Sequence, residues 1–315
     1  MTTAPPLVEL LRCPTCGSRL EDEDEGSLAC TGCGAAYPVE EGIPRMLDER
    51  APGVFEKRRE AEGWAAMARD QGWYEPDDDV DAVLPYVNRD LGWDDLTWAA
   101  NEHSFGLLLD LLEPGMRVLE VGAAKCWAAQ HVIPRGAEYV GSDILADPVI
   151  GLGRGRFYEE RVGPFDRVQA DGEHLPFADG SFDLAFSVAA LHHALDLDGM
   201  VRELARVTRR GGVVAALNEG TRPLRASGQV PDQEHEKSFG INEHVHSLLA
   251  YAWAFTRAGL AVTRVERADG YSAFAGRTKV ERLLRLPGGR TALTAGLSLL
   301  SGYSGITLFA RKVAS

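Results

Sequence analysis

Four of the five cysteines lie within the first 33 residues, as Cys13-Pro-Thr-Cys16 and Cys30-Thr-Gly-Cys33. A two-residue gap lets both thiolates of a pair face one metal from a tight turn, and two such pairs close a tetrahedral four-sulfur site. Zn²⁺ suits that donor set best and keeps no position open for water or substrate, so the site builds structure or recognises a partner. Gly17 and Gly34, just past each second cysteine, permit the left-handed backbone of such knuckles. Two disulfides are the alternative, disfavoured by the strain of a two-residue loop.

A second set of residues has the spacing of a nucleotide site. Arg117-Val-Leu-Glu120-Val-Gly122 reads as a short apolar strand ending in glycine, and Glu138-Tyr-Val-Gly-Ser-Asp143 as a second strand ending in a carboxylate. A tight turn that brings backbone to the ligand, then an acid about twenty residues on for ribose hydroxyls, is dinucleotide-fold logic. Histidine is the natural base near neutral pH, and His192-His193 and His244-Val-His246 are the candidates. Each of these histidines also has a plain packing or capping reading.

The motifs that follow make the pattern specific. Gln169-Ala-Asp171-Gly172-Glu173 precedes Leu175-Pro-Phe-Ala-Asp-Gly-Ser-Phe-Asp183, and a strand over 184–188 leads into His192-His193 and a helix from Leu197. That helix ends at Arg209-Arg-Gly-Gly212, before a strand over 213–218. In this order the motifs resemble the class I S-adenosylmethionine-dependent methyltransferases of the quinone C-methyltransferase and zinc-ribbon RNA guanine methyltransferase kind. The segment 35–47 likewise resembles the end of small zinc ribbons fused to methyltransferases or acting as their activators. The resemblance implies a Rossmann-like, doubly wound α/β sheet with an antiparallel last strand, plus a small N-terminal zinc ribbon. It implies S-adenosylmethionine as cofactor and Zn²⁺ held by Cys13, Cys16, Cys30 and Cys33. Glu120, Gly122, Ala123 and Ala124 would line the methionine end, Asp143 the ribose and Ile144 the adenine. Asp171, with Gly172 and Glu173, would meet the adenine amino group, and Ser187 and Val188 would flank the methionine. His192 and His244 are the catalytic candidates. One departure stands out: the second and third glycines of the family's loop are Ala124 and Cys126 here.

These residues need a frame. The sequence divides into a ribbon over 1–50, a helical linker or lid over 51–113 and the methyltransferase domain over 114–315. In the linker, Phe55, Ala61, Trp64, Ala65 and Ala68 are able to share one helical face, and 96–112 reads as a second helix. Helix 246–258, a strand over 260–267 and a last strand over 305–312 complete the domain. Residues 277–290, with five bases and one acid, read as a solvated helix face or a contact for an anionic substrate.

Charge narrows the partners. The chain carries −14 overall, but residues 201–315 hold 17 bases and 9 acids, +8, which leaves −22 for the first 200. An acidic front half argues against a nucleic-acid substrate. The ribbon itself holds 4 bases and 10 acids. The expected activity is therefore methyl transfer to a small molecule, a metabolite, sugar or natural-product intermediate. RNA-base methylation with the ribbon gripping RNA, and a non-catalytic scaffold, are the alternatives. No membrane span and no secretion signal are expected, which points to the cytoplasm. Oligomeric state and the acceptor atom are not read from the sequence.

Overall fold

The computed structural model describes all residues except 1–5, 25, 49, 225–230, 272–273, 275, 301–303 and 314–315. Alternation of apolar and polar residues is weak in the ribbon, whose small antiparallel sheet consists of β1 (Leu20–Asp24), β2 (Ser27–Cys30), β3 (Ala36–Glu40) and β4 (Ile43–Pro44), in that order. The two cysteine turns lie at one end of it, where Cys30 pairs with Leu20.

The larger sheet has seven strands: β5 (Arg117–Val121), β6 (Glu138–Asp143), β7 (Asp166–Gln169), β8 (Phe182–Val188), β9 (Thr208–Thr221), β10 (Leu260–Arg267) and β11 (Ser304–Lys312). Their order is β10-β11-β9-β8-β5-β6-β7. The five central and distal strands run parallel, and β11 is antiparallel to both β9 and β10. This is the doubly wound sheet with a reversed last strand that the motif order implied. The parallel strands are near-continuous runs of apolar residues because helices cover both faces. Val118, Leu184, Phe186 and Leu217 face one core, while Leu119, Val121, Ala185 and Val214 face the other.

The ribbon is not a separate ball. Leu11 bridges to Phe177, and Arg45 forms a parallel bridge with Gln169 at the outer edge of β7. Arg12 N–H donates to Pro176 O (2.9 Å), Ala178 N–H to Leu10 O (2.8 Å) and Met46 N–H to Gln169 O (2.8 Å). Leu10, Leu11, Leu20, Leu28, Tyr37 and Met46 belong to the same buried cluster as Leu119, Val168 and Phe177.

Two helices of the linker position the site. Leu96–Leu109 is capped by Asp95, whose side chain accepts from Trp98 N–H, and buries Phe105 and Leu108. Val54–Asp70 meets the sequence expectation in part. Ala65 and Ala68 are buried with Trp64 packed beside them, but Phe55 is 72% exposed, and Lys57, Glu60, Gly63 and Met67 also turn inward. The reason lies in what it meets: the face is polar because it packs on carboxylates and a histidine of the domain. Gly63 is required there, since a Cβ would stand 2.5 Å from Phe239 O.

Candidate functional site

The loop after β5 keeps its glycine-like shape without its second and third glycines. Gly122 has φ +77°, and a Cβ there would lie 2.5 Å from the Ala190 methyl. Ala124 and Cys126 also take positive φ, +43° and +64°. Each costs about 1 kcal/mol relative to glycine, so the turn is held by its surroundings. Cys126 N–H donates to Ala123 O, and Ala124 N–H donates to Asp143 Oδ2 at 2.7 Å. Leu145 N–H holds the other oxygen of Asp143 at 2.8 Å. Removal from water pushes this carboxyl up to about 6, against the two N–H donors that favour its charge.

Glu120 is 1% exposed and turns beneath the loop, where the Tyr139 hydroxyl donates to it. Strand alternation dictates this, since Val118 and Glu120 share one face of β5. Burial lifts Glu120 to about 8, so it stands protonated at neutral pH.

Asp171 and Glu173 face the Val54–Asp70 helix. Lys57 Nζ lies 2.5 Å from Glu173 Oε1 and 3.6 Å from Asp171 Oδ1. His174 Nδ1 is 3.1 Å from the other oxygen of Asp171. Burial would raise the Asp171 carboxyl, but the His174 hydrogen bond and the Lys57 charge outweigh it and hold it below the usual range. Glu173 also accepts from the backbone N–H groups of Leu195 and Asp196, so it fastens that loop. Gly172 leaves no room for a side chain, because a Cβ would meet the Met200 methyl at 2.9 Å. Ile144, with Tyr37, Arg45, Arg58, Asp147 and Gln169, lines a cavity of about 770 Å³ between ribbon and domain.

The ends of β8 and β9 carry the remaining candidates. Ser187 is fully buried, and its hydroxyl has no hydrogen-bond partner among the described residues; Val188 is half-buried beside it. His192 Nδ1 is 2.9 Å from Glu219 Oε2, while Glu219 Oε1 accepts from Ala190 and Leu191 N–H. Glu219 is fully buried; burial raises its carboxyl, but His192 and the two N–H donors outweigh that and hold it low. His193 Nδ1 lies 3.2 Å from Glu60 and 3.6 Å from Glu243. Burial opposes its protonation, yet the Glu60 hydrogen bond and the Glu243 charge lift it to about 9. His244 donates its backbone N–H to His192 O, but its ring is exposed and outside this group. Of the two catalytic candidates, then, only His192 sits inside a buried polar cluster. Sequence reasoning missed Lys57, Glu60, Glu219 and Glu243. Lys57 and Glu60 stand in a charged run, Glu56 to Glu60, in which nothing marks those two as inward-facing.

In the ribbon, Cys13 and Cys33 sulfurs are 3.7 Å apart and Cys16 and Cys30 sulfurs 3.4 Å. Four sulfurs about 2.3 Å from one ion stand about 3.7 Å apart, so the set fits zinc. Gly32 and Cys33 N–H point at Cys30 Sγ, and the Tyr37 hydroxyl lies 3.1 Å from Cys13 Sγ. All four cysteines are free of disulfides.

Comparison with known proteins now bears on this arrangement. Residues 119–216 match the family described as methyltransferase domain, and residues 5–42 match the Trm112p-like proteins. The chain joins a Trm112p-like domain to a methyltransferase domain. Similar curated proteins include sterol 24-C-methyltransferase ERG6B of Gibberella zeae, 36% identical over 106 residues, 32% of this chain and 27% of that protein. Demethylmenaquinone methyltransferase of a Parafrankia species is 35% identical over 127 residues, 36% of this chain and 50% of that one. Methyltransferase GfsG of Streptomyces halstedii is 36% identical over 108 residues, 32% of this chain and 37% of that one. The chain thus spans about a quarter to a half of the length of the curated relatives it matches. Among solved structures, a chain from the complex of the Haloferax volcanii Trm112 methyltransferase activator with a methyltransferase has a TM-score of 0.52 at 19% identity. It covers 81% of this chain and 98% of that one, and shows that the fold is shared. Among the described residues, no helix is long and apolar enough to cross a membrane.

Proposed function

We propose that this chain is an S-adenosylmethionine-dependent methyltransferase that modifies a small-molecule acceptor. The observation that carries the reading is Asp143, held at the end of β6 by the loop N–H of Ala124, with the Asp171 carboxylate one strand away at the end of β7. Two acids beyond adjacent parallel strands, beside a left-handed loop, suit a ribose and an adenine amino group. Gly122, Ala123 and Ala124 bring backbone to the methionine end, with Ser187 and Val188 opposite. Ile144 and Gly172 border the adenine. Glu120 acts from beneath by fixing the loop, and Glu173 by closing the Val54–Asp70 helix over the pocket through Lys57.

Methyl transfer is an in-line displacement, so the protein's work is alignment and exclusion of water. The buried helix face over the cofactor edge does both. An oxygen or nitrogen acceptor must also lose a proton, and the His192–Glu219 pair lies where that proton would leave; His244 borders the entrance. Relatives named for sterols and demethylmenaquinone favour a small, largely apolar acceptor. The four-sulfur set holds structural Zn²⁺, and the ribbon supports the domain in the same chain, while a separate activator is named in the Haloferax volcanii complex. Isothermal titration with S-adenosylmethionine and S-adenosylhomocysteine tests the reading. Micromolar binding that disappears in Asp143→Ala supports it, and no binding at about millimolar cofactor overturns it.

A further inference from the structure

We propose that His192, His193 and Glu243 form a divalent-cation site at the mouths of β8 and β9, separate from the ribbon zinc. One donor atom from each of the three residues lies within 4.8 Å of the others. Glu243 Oε1 stands 3.6 Å from His192 Nε2 and 3.6 Å from His193 Nδ1. Two donors about 2.1 Å from one ion at a tetrahedral angle stand about 3.4 Å apart, so a small inward movement closes the set. Glu60 Oε1, 3.2 Å from His193 Nδ1, is placed to join the set as a further oxygen donor.

Two independent features point to an ion. The first is the way His192 is mounted. Its Nδ1 faces Glu219, whose second oxygen is fixed by two backbone N–H groups, so the ring is locked with Nε2 directed at Glu243. A carboxylate gripping one ring nitrogen while the other turns to a second carboxylate is the arrangement that orients metal-ligating histidines. The second is charge. Glu60, Glu219 and Glu243 are at most 5% exposed. Three buried carboxylates gathered around two imidazoles, with the Lys57 charge shared among Glu60, Asp171 and Glu173, make a place that favours a cation. The donor set of imidazole and carboxylate suits zinc, iron, cobalt or nickel, and His193 takes part once its Nδ1 leaves the Asn242 carbonyl, 2.6 Å away in this structure, and the cation displaces the Nδ1 proton to solvent. An ion here holds an oxygen-bearing acceptor and lowers the affinity of that oxygen for its proton.

The test reads metal directly, in the full chain with its ribbon metal in place and without cofactor or acceptor, so its outcome is independent of the methyltransferase reading. Co²⁺ is titrated in, followed by calorimetry and by its visible absorption. The expected result is one further equivalent with a nitrogen- and oxygen-ligated spectrum, bound at least about tenfold more weakly by His192→Ala and by Glu243→Gln. If His192→Ala fails to fold, broadening of the His192 and His193 ring signals by Co²⁺ in the unaltered chain supplies the same evidence. Uptake limited to the thiolate-type spectrum of the ribbon, or uptake unchanged in Glu243→Gln, overturns the proposal.

Discussion

Asp143 makes cofactor binding depend on pH in a defined direction. Desolvation raises its carboxyl from an ordinary 3.8 to about 6 in the free protein. Ribose hydroxyls donate hydrogen bonds, so the cofactor prefers the ionised carboxylate and pulls its pKa back down. A carboxyl whose free-state pKa is raised must lose a proton before it binds. Affinity is therefore full above about pH 7 and falls as pH drops through 6, by about tenfold per pH unit below it. Between pH 7 and 5 the dissociation constant of S-adenosylmethionine should rise about tenfold, with about 0.9 proton released per cofactor bound at pH 5. Glu120, raised to about 8, is protonated throughout this window and adds no slope. Calorimetry in two buffers of different ionisation enthalpy measures both quantities, and Asp143→Asn should bind weakly with a flat profile. A dissociation constant that stays level between pH 5 and 7 in the unaltered protein, or proton uptake on binding, would refute the reasoning.

Three further outcomes are expected. Gly63→Ala places a Cβ 2.5 Å from Phe239 O and should cost about 1–3 kcal/mol in urea unfolding, while weakening cofactor binding by displacing Lys57. Chelation of the ribbon metal, or Cys30→Ser, should lower the melting temperature of the whole chain in one transition, because ribbon and sheet share a core; two separate calorimetric transitions would count against that. Ala124→Val should lose about 1 kcal/mol or more, while Ala124→Gly stays near neutral or gains slightly, since position 124 has φ +43°. Thermal unfolding of the two variants decides it.

The sheet was legible because its cues are local. Apolar runs ending in Gly122, Asp143 and Val188 mark strand ends in any parallel sheet, and the order of the strands follows from the motifs. The gathering of the four cysteines was legible for the same reason, since CxxC spacing carries its own geometry. The Val54–Asp70 helix was legible only in part. Its periodicity offers Phe55 and Trp64 as an apolar face; Trp64 packs but Phe55 lies in solvent, and only Glu173 and His193, more than a hundred residues away, explain why Lys57 and Glu60 also turn inward. Glu219 was hidden differently: it closes an ordinary strand, and its meaning comes from His192, brought to it by the crossover between β8 and β9. Glu120, which the family resemblance assigns to the cofactor, has a partner that spacing does not announce, the Tyr139 hydroxyl on the neighbouring strand.

The pairing of residues 45–46 with Gln169 has a consequence for how such a chain lives in a cell. An exposed outer strand of a parallel sheet is a template for unwanted pairing with other chains. Here its partner is tethered, so it is present at an effective concentration that no separately made protein maintains, whatever the expression level or dilution. The ribbon also leaves the ribosome before β7 is made, so the strand meets its cover as it forms. Synthesis order and stoichiometry, rather than affinity, then guard the edge. Interface positions such as Arg45 and Met46 are free to drift toward weaker contacts than two independent proteins would need to find each other.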